Sequence, residues 1–303
     1  MRDIFVNKLL EIAELEKDLF FLTGDLGYGQ FDALEKKLKN RYINVGVSEQ
    51  NMMGVATGLA MEGKKVVTYS IGNFGFMRCL EQIRNDAAYH NCNLTIVSNG
   101  SGYSYGTLGY SHHLTEDLAI MSAIPNIKVH SPATKNDINN ILDYSLSNFG
   151  VNYLRLDKSI FKNNISYKFH PTKLVTYVLG RNAHIFTTGG ISELAEEAIQ
   201  ILKTKNINCG MSVIHTLKPL CENDILKIVK KIKNIVVLEE HSKIGGLASL
   251  ISELLIRKNQ YPKNFFSFNA GDHFINAVGD QKYLRNKNRL NPRNIANKII
   301  SFY

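Results

Sequence analysis

The sequence predicts an α/β protein of two doubly wound domains, and three observations carry that expectation. Short apolar runs such as Leu19–Thr23, Lys65–Tyr69 and Leu94–Val97 alternate with stretches of helical periodicity. The alternation lapses once, from Asp157 to about Lys173, where a polar segment of weak periodicity reads as a linker. A chain of 303 residues is also too long for one comfortable core. The domains are expected over residues 1–165 and 175–303.

Taken in order, residues 2–17 read as a helix with Ile4, Leu9, Ile12 and Leu15 near one face. A buried strand over 19–23 runs into the turn Gly24-Asp25-Leu26-Gly27-Tyr28-Gly29. A short strand at 42–45 precedes a helix over 49–61 rich in Ala, Gly and Met. A third strand at 65–69 leads to a helix over about 76–90, and a fourth at 94–97 enters a Gly- and Tyr-rich loop over 99–113. Another helix follows, then a strand at 127–130, a helix at about 135–147 and a strand at 151–155. In the second half, strands are expected at 183–187, 208–214 and 234–238, and helices at 192–205, 222–231, 246–256 and near 292–301.

Composition narrows the function. An apolar content of 44% with 21% charged residues fits a soluble globular protein, and no apolar run approaches the roughly 20 residues that span a bilayer. The first residues lack the regions of a signal peptide, so the expected compartment is the cytoplasm. Cys79, Cys92, Cys209 and Cys221 have no metal-ligand spacing and are expected as reduced, buried thiols. The net charge of +9 raises nucleic-acid binding. Lys227, Lys230, Lys231 and Lys233 instead read as one solvated helix face, with no Arg-rich stripe interleaved with aromatics. An anionic substrate or an acidic partner chain fits the charge equally well.

Three places carry chemistry. The glycines of Gly100-Ser-Gly-Tyr-Ser-Tyr-Gly-Thr-Leu-Gly109 suggest a phosphate loop, but no Lys-Ser/Thr follows them. An active-site loop beyond the carboxyl end of a strand fits better. Glu49 stands at a strand-to-helix junction, where it complements the helix dipole or serves a catalytic role. His112 and His113 follow the loop with Glu116 and Asp117 behind them. Adjacent histidines point apart and no third ligand lies near, so these are catalytic, substrate-contacting or structural imidazoles rather than metal ligands.

Together these segments resemble the pyrimidine-binding and C-terminal domains of transketolase, a thiamine diphosphate-dependent family. The matching stretches are Arg41–Gly54, Ala56–Ala60, Phe74, Arg78, Glu81–Asn85, Ser111–His113, Glu116-Asp117, Ile124–Asn126 and Tyr153–Arg155. Thr187–Gly190, Thr216–Pro219, Glu239–His241 and Gly245-Gly246 continue the likeness into the second half. The resemblance implies that Glu49 is the carboxylate bonded to pyrimidine N1′, which favours the tautomer the cofactor needs. It places Phe74 against the pyrimidine ring, although Phe74 alone also reads as core, and it puts Asp25 and Arg78 near the cofactor. His112, with His113 beside it, would contact the sugar and move its hydroxyl protons. Arg155 and Arg2 would grip a sugar phosphate. His241 is expected to be structural.

The departures from the family are informative. No Gly-Asp-Gly metal motif occurs; Gly271-Asp272-His273 lacks the third glycine. The resemblance therefore implies that a partner chain supplies the diphosphate-binding domain and holds Mg2+, in an α2β2 assembly. Asn99-Gly100 stands where the family has His-Asp, and Leu108-Gly-Tyr-Ser-His112 where it has Asp-Gly-Pro-Thr-His. With Asn99 at the substrate and Leu108 unable to accept a sugar hydrogen bond, a specialised transketolase for an unusual sugar is expected. The rival reading is the beta subunit of a 2-oxoacid dehydrogenase decarboxylating component, which shares the domain plan and the glutamate. A regulatory or scaffold subunit is the non-enzyme alternative, against which the retention of Glu49, His112 and Arg155 argues.

Overall fold

The computed structural model describes residues 1–163 and 165–303; Asn164, in the expected linker, lies outside them. The first half runs α1 (Arg2–Leu15), β1 (Leu19–Thr23), α2 (Asp32–Leu38), β2 (Tyr42–Asn44), α3 (Glu49–Met61) and β3 (Lys65–Ile71). It continues through α4 (Leu80–Gln82), β4 (Leu94–Asn99), α5 (Asp117–Ala123), β5 (Ile127–His130), α6 (Lys135–Ser147) and β6 (Val151–Leu156). The second half contributes β7 (Val175–Val178), β8 (Ala183–Thr187), α7 (Ser192–Lys203), β9 (Cys209–Val213), β10 (Thr216–Lys218) and α8 (Glu222–Lys231). It ends with β11 (Asn234–Leu238), α9 (Leu247–Arg257), β12 (Asn264–Phe268), α10 (Gln281–Lys287) and α11 (Pro292–Ile300).

Two sheets result, in the orders β10-β5-β6-β4-β3-β1-β2 and β12-β11-β8-β9-β7. Pairing is parallel except at two edges, where β10 lies antiparallel to β5 and β7 antiparallel to β9. Each sheet is doubly wound, as expected. From β1 the chain goes outward to β2 and returns on the other side at β3, which makes the β1/β3 boundary a switch point. In the second sheet the same reversal falls between β8 and β11.

Alternation along the strands sorts the cores. Phe21 packs with Phe5, Leu9, Tyr69 and Ile138 on one face of the first sheet. Leu22 belongs to the opposite core with Met52, Phe76 and Ile96, which continues into Ile225, Val229, Ile251 and Leu254 of α8 and α9. A further core, with Ile185, Ile199, Val213 and Ile295, fills the far face of the second sheet. Lys227, Lys230 and Lys231 are exposed on α8 opposite its buried Ile225 and Val229, whereas Lys233, expected on the same face, lies beyond the helix end; all four cysteines are free and buried.

Several local expectations change. The helix expected over 76–90 is a short turn at Gly72–Gly75, then α4, then a π-helical stretch over Ile83–Ala88. Gly75 packs on Ser70, where a Cβ would fall 2.9 Å from the Ser70 Cβ, so the chain turns tightly before the helix begins. The expected linker is not loose: Phe161 is buried and the rings of Tyr167 and Phe169 lie 5.9 and 4.8 Å from His215. β10, from the second half, completes the first sheet, so the halves share a sheet as well as a core.

Buried histidines line these seams. His130 bonds Thr216 Oγ1 through Nδ1 at 3.0 Å and Asn152 Oδ1 through Nε2 at 3.2 Å. Nε2 of His241 accepts the Ala119 amide at 3.3 Å, which ties the second sheet to α5 and fits its expected structural role. Burial pushes His130, His184 and His241 down to about 3. Their neutral forms thus stabilise the fold fully above the unfolded value near 6.5. That stability is lost as pH falls toward about 3, by roughly 2 kcal/mol per imidazole near pH 5. Glu239, pushed up to about 7 by burial, acts oppositely, costing stability as pH rises from about 4.5 through about 7. Burial also raises Asp117, Glu193 and Glu240, which offset the imidazoles in overall stability, so the rings are best read one by one. In an NMR titration of the folded chain, His130, His184 and His241 should show no protonation down to pH 5; protonation of these rings between pH 7 and pH 5 would contradict their burial as neutral groups.

Candidate active site

The carboxyl ends of the first sheet collect the residues of interest, as open α/β topology requires. α3 starts shortly after β2 and its first residue is Glu49, whose side chain is 6% exposed. Arg78, from the segment after β3, donates from Nη1 to Glu49 Oε2 at 2.8 Å. Its guanidinium also sits 5.1 Å from the Phe74 ring centroid, and that ring meets His112 edge-on at 5.3 Å. Gly72 at φ +42° and the Asn73 side chain, bonded to Ser111 O at 3.3 Å, bring the β3 turn against the turn that carries His112. Glu49, Arg78, Phe74 and His112 therefore form one continuous string across the switch point.

Within that string Glu49 Oε2 is committed to Arg78. Among the described residues Oε1 has no hydrogen-bond partner. His112 is half-buried, with Ser111 Oγ 3.1 Å from Nδ1, so Nε2 is left for another partner. Asp25 stands at the carboxyl end of β1, exposed and bonded to the Tyr28 hydroxyl. A partly buried aromatic face beside an acceptor oxygen fits a flat heterocycle carrying a ring N–H, as the pyrimidine of thiamine diphosphate does in its imino tautomer. Among the described residues no group of three His, Cys, Asp or Glu side chains could hold a metal ion.

The other expected site residues separate. Arg2 and Asn99 line a second pocket, of about 280 Å³, with Tyr105, Asp157 and Lys158. His113 is turned away from His112. Its ring packs edge-on against Tyr103 at 5.0 Å, and it lines a cleft of about 820 Å³ between the two halves with Glu116, Asp272 and His273. Burial, then the neighbouring His112, lowers its pKa, and its buried Nε2 has no partner among the described residues.

Arg155 does not face a substrate. It is 2% exposed, with Nε 2.9 Å from Asp117 Oδ2 and Nη2 donating to Leu114 O at 2.6 Å and Glu240 O at 2.9 Å. Its side chain leaves the strand into the seam between the halves, so the expected phosphate grip is corrected to a structural tie. The cation nearer the strand ends is Lys158, just beyond β6 and lying over the Tyr105 ring at 4.4 Å. Sequence reasoning missed it because one lysine after a strand carries no distinguishing signal.

A second network, also missed, fixes the Gly-rich loop. Glu240 Oε1 accepts the Tyr103 amide at 2.9 Å, and Ser104 Oγ donates to Asp157 Oδ1 at 2.9 Å. Gln281 reaches Asp157 at 3.0 Å and Glu240 at 3.1 Å. Arg285 binds Glu240 at 2.5 Å and Glu193 at 3.0 Å, and lies 3.6 Å from Asp157. Gly102 is required here, because at φ +56° a Cβ would meet Glu240 side-chain carbons at 2.4 Å.

Two wound sheets sharing a core, with an acid and an aromatic ring at one switch point, define a two-domain α/β protein. Comparison with known proteins gives the family. The profile "Transketolase, pyrimidine binding domain" matches residues 1–163 and "Transketolase, C-terminal domain" matches residues 173–290. The chain belongs to the transketolase family. It is 36% identical over 284 residues to a provisionally assigned transketolase C-terminal section of Methanocaldococcus jannaschii, covering 90% of this chain and 87% of that one. A subunit of the apulose-4-phosphate transketolase of Actinobacillus succinogenes is 28% identical over 305 residues, covering 99% and 97%. The 6-deoxy-6-sulfo-D-fructose transketolase subunit of a Clostridium species is 30% identical over 260 residues, covering 84% and 80%. Among solved structures, a split-gene transketolase described as an inactive beta4 tetramer matches with a TM-score of 0.87 at 27% identity, covering 99% and 96%.

The corrected role of Arg155 is testable by urea unfolding. Arg155→Met should destabilise the chain by about 3–5 kcal/mol by stranding Asp117, and adding Asp117→Asn should recover more than half of that loss. Unchanged stability in Arg155→Met would return the residue to the substrate.

Proposed function

We propose that this chain is the pyrimidine-binding subunit of a split transketolase, moving a two-carbon ketol unit from a ketose to an aldose. The observation that supports this best is the string of Glu49, Arg78, Phe74 and His112 at the switch point. Thiamine diphosphate, when bound, supplies an electron sink for breaking the bond beside a carbonyl. Glu49 Oε1 holds the ring N–H, and Arg78 orients the carboxylate through Oε2. Phe74 gives the ring an apolar platform, and Asp25 lies at the rim of the same strand ends. His112 holds or passes a proton at a sugar hydroxyl through its free nitrogen.

A separate chain holds the diphosphate and Mg2+, and the assembly is α2β2. Relatives named as subunits, which this chain matches nearly end to end, support this division. Arg2 and Lys158, rather than Arg155, meet the anionic end of the sugar. Asn99 donates its side-chain amide to Tyr105 and Leu108 is 55% exposed, so neither presents the acceptor or imidazole found in ordinary family members. Relatives named for apulose 4-phosphate and sulfofructose support a specialised substrate.

Ketol transfer should appear when this chain is mixed with its diphosphate-binding partner. In that mixture Glu49→Gln should lower kcat by at least about 100-fold, and His112→Asn should lower it by roughly 100-fold. Full activity in Glu49→Gln would refute the assignment. Normal turnover of common pentose and hexose phosphates would refute the specialised substrate alone.

A further inference from the structure

The 280 Å³ pocket opens where β4 and β6 end and α1 begins, and Tyr105 forms one of its walls. Three neighbours fix that ring. Gly100, at φ +110°, has no Cβ, and one placed there would fall 2.3 Å from two Tyr105 ring carbons. The side-chain amide of Asn99 donates to the Tyr105 hydroxyl at 2.6 Å. The Lys158 ammonium covers the ring face at 4.4 Å. A tyrosine thus occupies the room that a side chain at position 100 would need, and its hydroxyl is held by the residue that ends β4. Burial also pushes the Tyr105 phenol up, so the hydroxyl stays neutral.

Charge in the pocket favours a dianion. Asp157 is already matched, since Ser104, Ser159 N–H and Gln281 donate to its Oδ1 and Arg285 lies 3.6 Å from its Oδ2. The Arg2–Asp3 pair, at 3.3 Å, is exposed and weak. Among the described residues Lys158 has no carboxylate partner; its contact is the Tyr105 ring. Two cations at one mouth suit a terminal phosphate better than a singly charged sulfonate.

We infer that Tyr105 is a specificity-determining residue that narrows the pocket holding Arg2 and Lys158, so that this pocket favours short-chain sugar phosphates over longer ones. The inference rests on the anion-binding role proposed above for Arg2 and Lys158. Its loop neighbours Tyr103 and Ser104 are tied inward to Glu240 and Asp157.

The test is calorimetric titration of triose, tetrose, pentose and hexose aldose phosphates into the full chain, with a triose sulfonate as control. For the wild type, Kd should rise by about tenfold or more from triose to hexose phosphate, in line with discrimination by pocket size. The sulfonate should bind more weakly than the triose phosphate. Tyr105→Ala should shrink the triose-to-hexose ratio to about threefold or less, whereas Tyr105→Phe should keep it. Should Tyr105→Ala fail to fold, judged by circular dichroism, Tyr105→Leu and Gly100→Ala read the same ratio; the latter's methyl would displace the ring. An undiminished ratio in the shortened variants, equal weakening of every sugar, or no sugar-phosphate binding by the wild type would overturn the inference. Turnover is read separately in the assembled complex. Length-selective binding without ketol transfer would refute the proposed function and leave the role of Tyr105 standing.

Discussion

A guanidinium buried between two sheets is the constraint on which the site depends. Arg155 leaves β6 and meets three groups that belong to different parts of the molecule: Asp117 at the start of α5, the carbonyl of Leu114 and the carbonyl of Glu240. Leu114 closes the Gly-rich loop, and Glu240 follows β11 of the second sheet. Such a charge is costly to bury, and burial raises the pKa of Asp117 even with Arg155 beside it. The arrangement holds only because carbonyls and a carboxylate surround the cation. The outcome is geometric: the end of the loop that carries His112 is set against both sheets at once.

The two switch points have divided the work. In the first sheet the crevice presents a carboxylate oxygen and an aromatic face. In the second, the segments after β8 and β11 include Glu239, Glu240 and His241, and this position is closed. Glu239 accepts the Leu247 and Ala248 amides at the head of α9 at 2.6 and 2.9 Å, and Glu240 is bound by Arg285. A crevice that could have taken a ligand instead grips the loop of its neighbour through Tyr103. The second domain is thereby a scaffold for the substrate side of the first, and the loop is fixed at both of its ends.

Much of this was legible in the sequence. Strands such as β1, β3, β8 and β11 are compact apolar runs, and Glu49 stands out by its place at a strand-to-helix junction. Short edge strands escaped notice, because β10 is three residues paired across the domain seam and β7 is only partly buried. The same limit applied to the site. Glu49, Phe74, Arg78 and His112 lie in stretches with recognisable order, and the structure brings them together. Arg155 was assigned to a sugar phosphate by resemblance alone, and a strand-end arginine gives no hint of which way its side chain leaves the strand. Lys158, Tyr105 and Arg285 act through partners distant in sequence, as in the bond from Arg285 to Ser159, 126 residues away, and no local pattern marks such pairs.

The central claim is that this chain offers the pyrimidine half of a thiamine diphosphate site and that another chain completes it. The most direct measurement is a titration of thiamine diphosphate with magnesium, first into the chain alone and then into the chain with its partner. Tight, magnesium-dependent binding that appears only in the mixture is the result predicted. Equally tight, magnesium-dependent binding by the lone chain would contradict the account, which assigns the diphosphate and its metal to the partner chain.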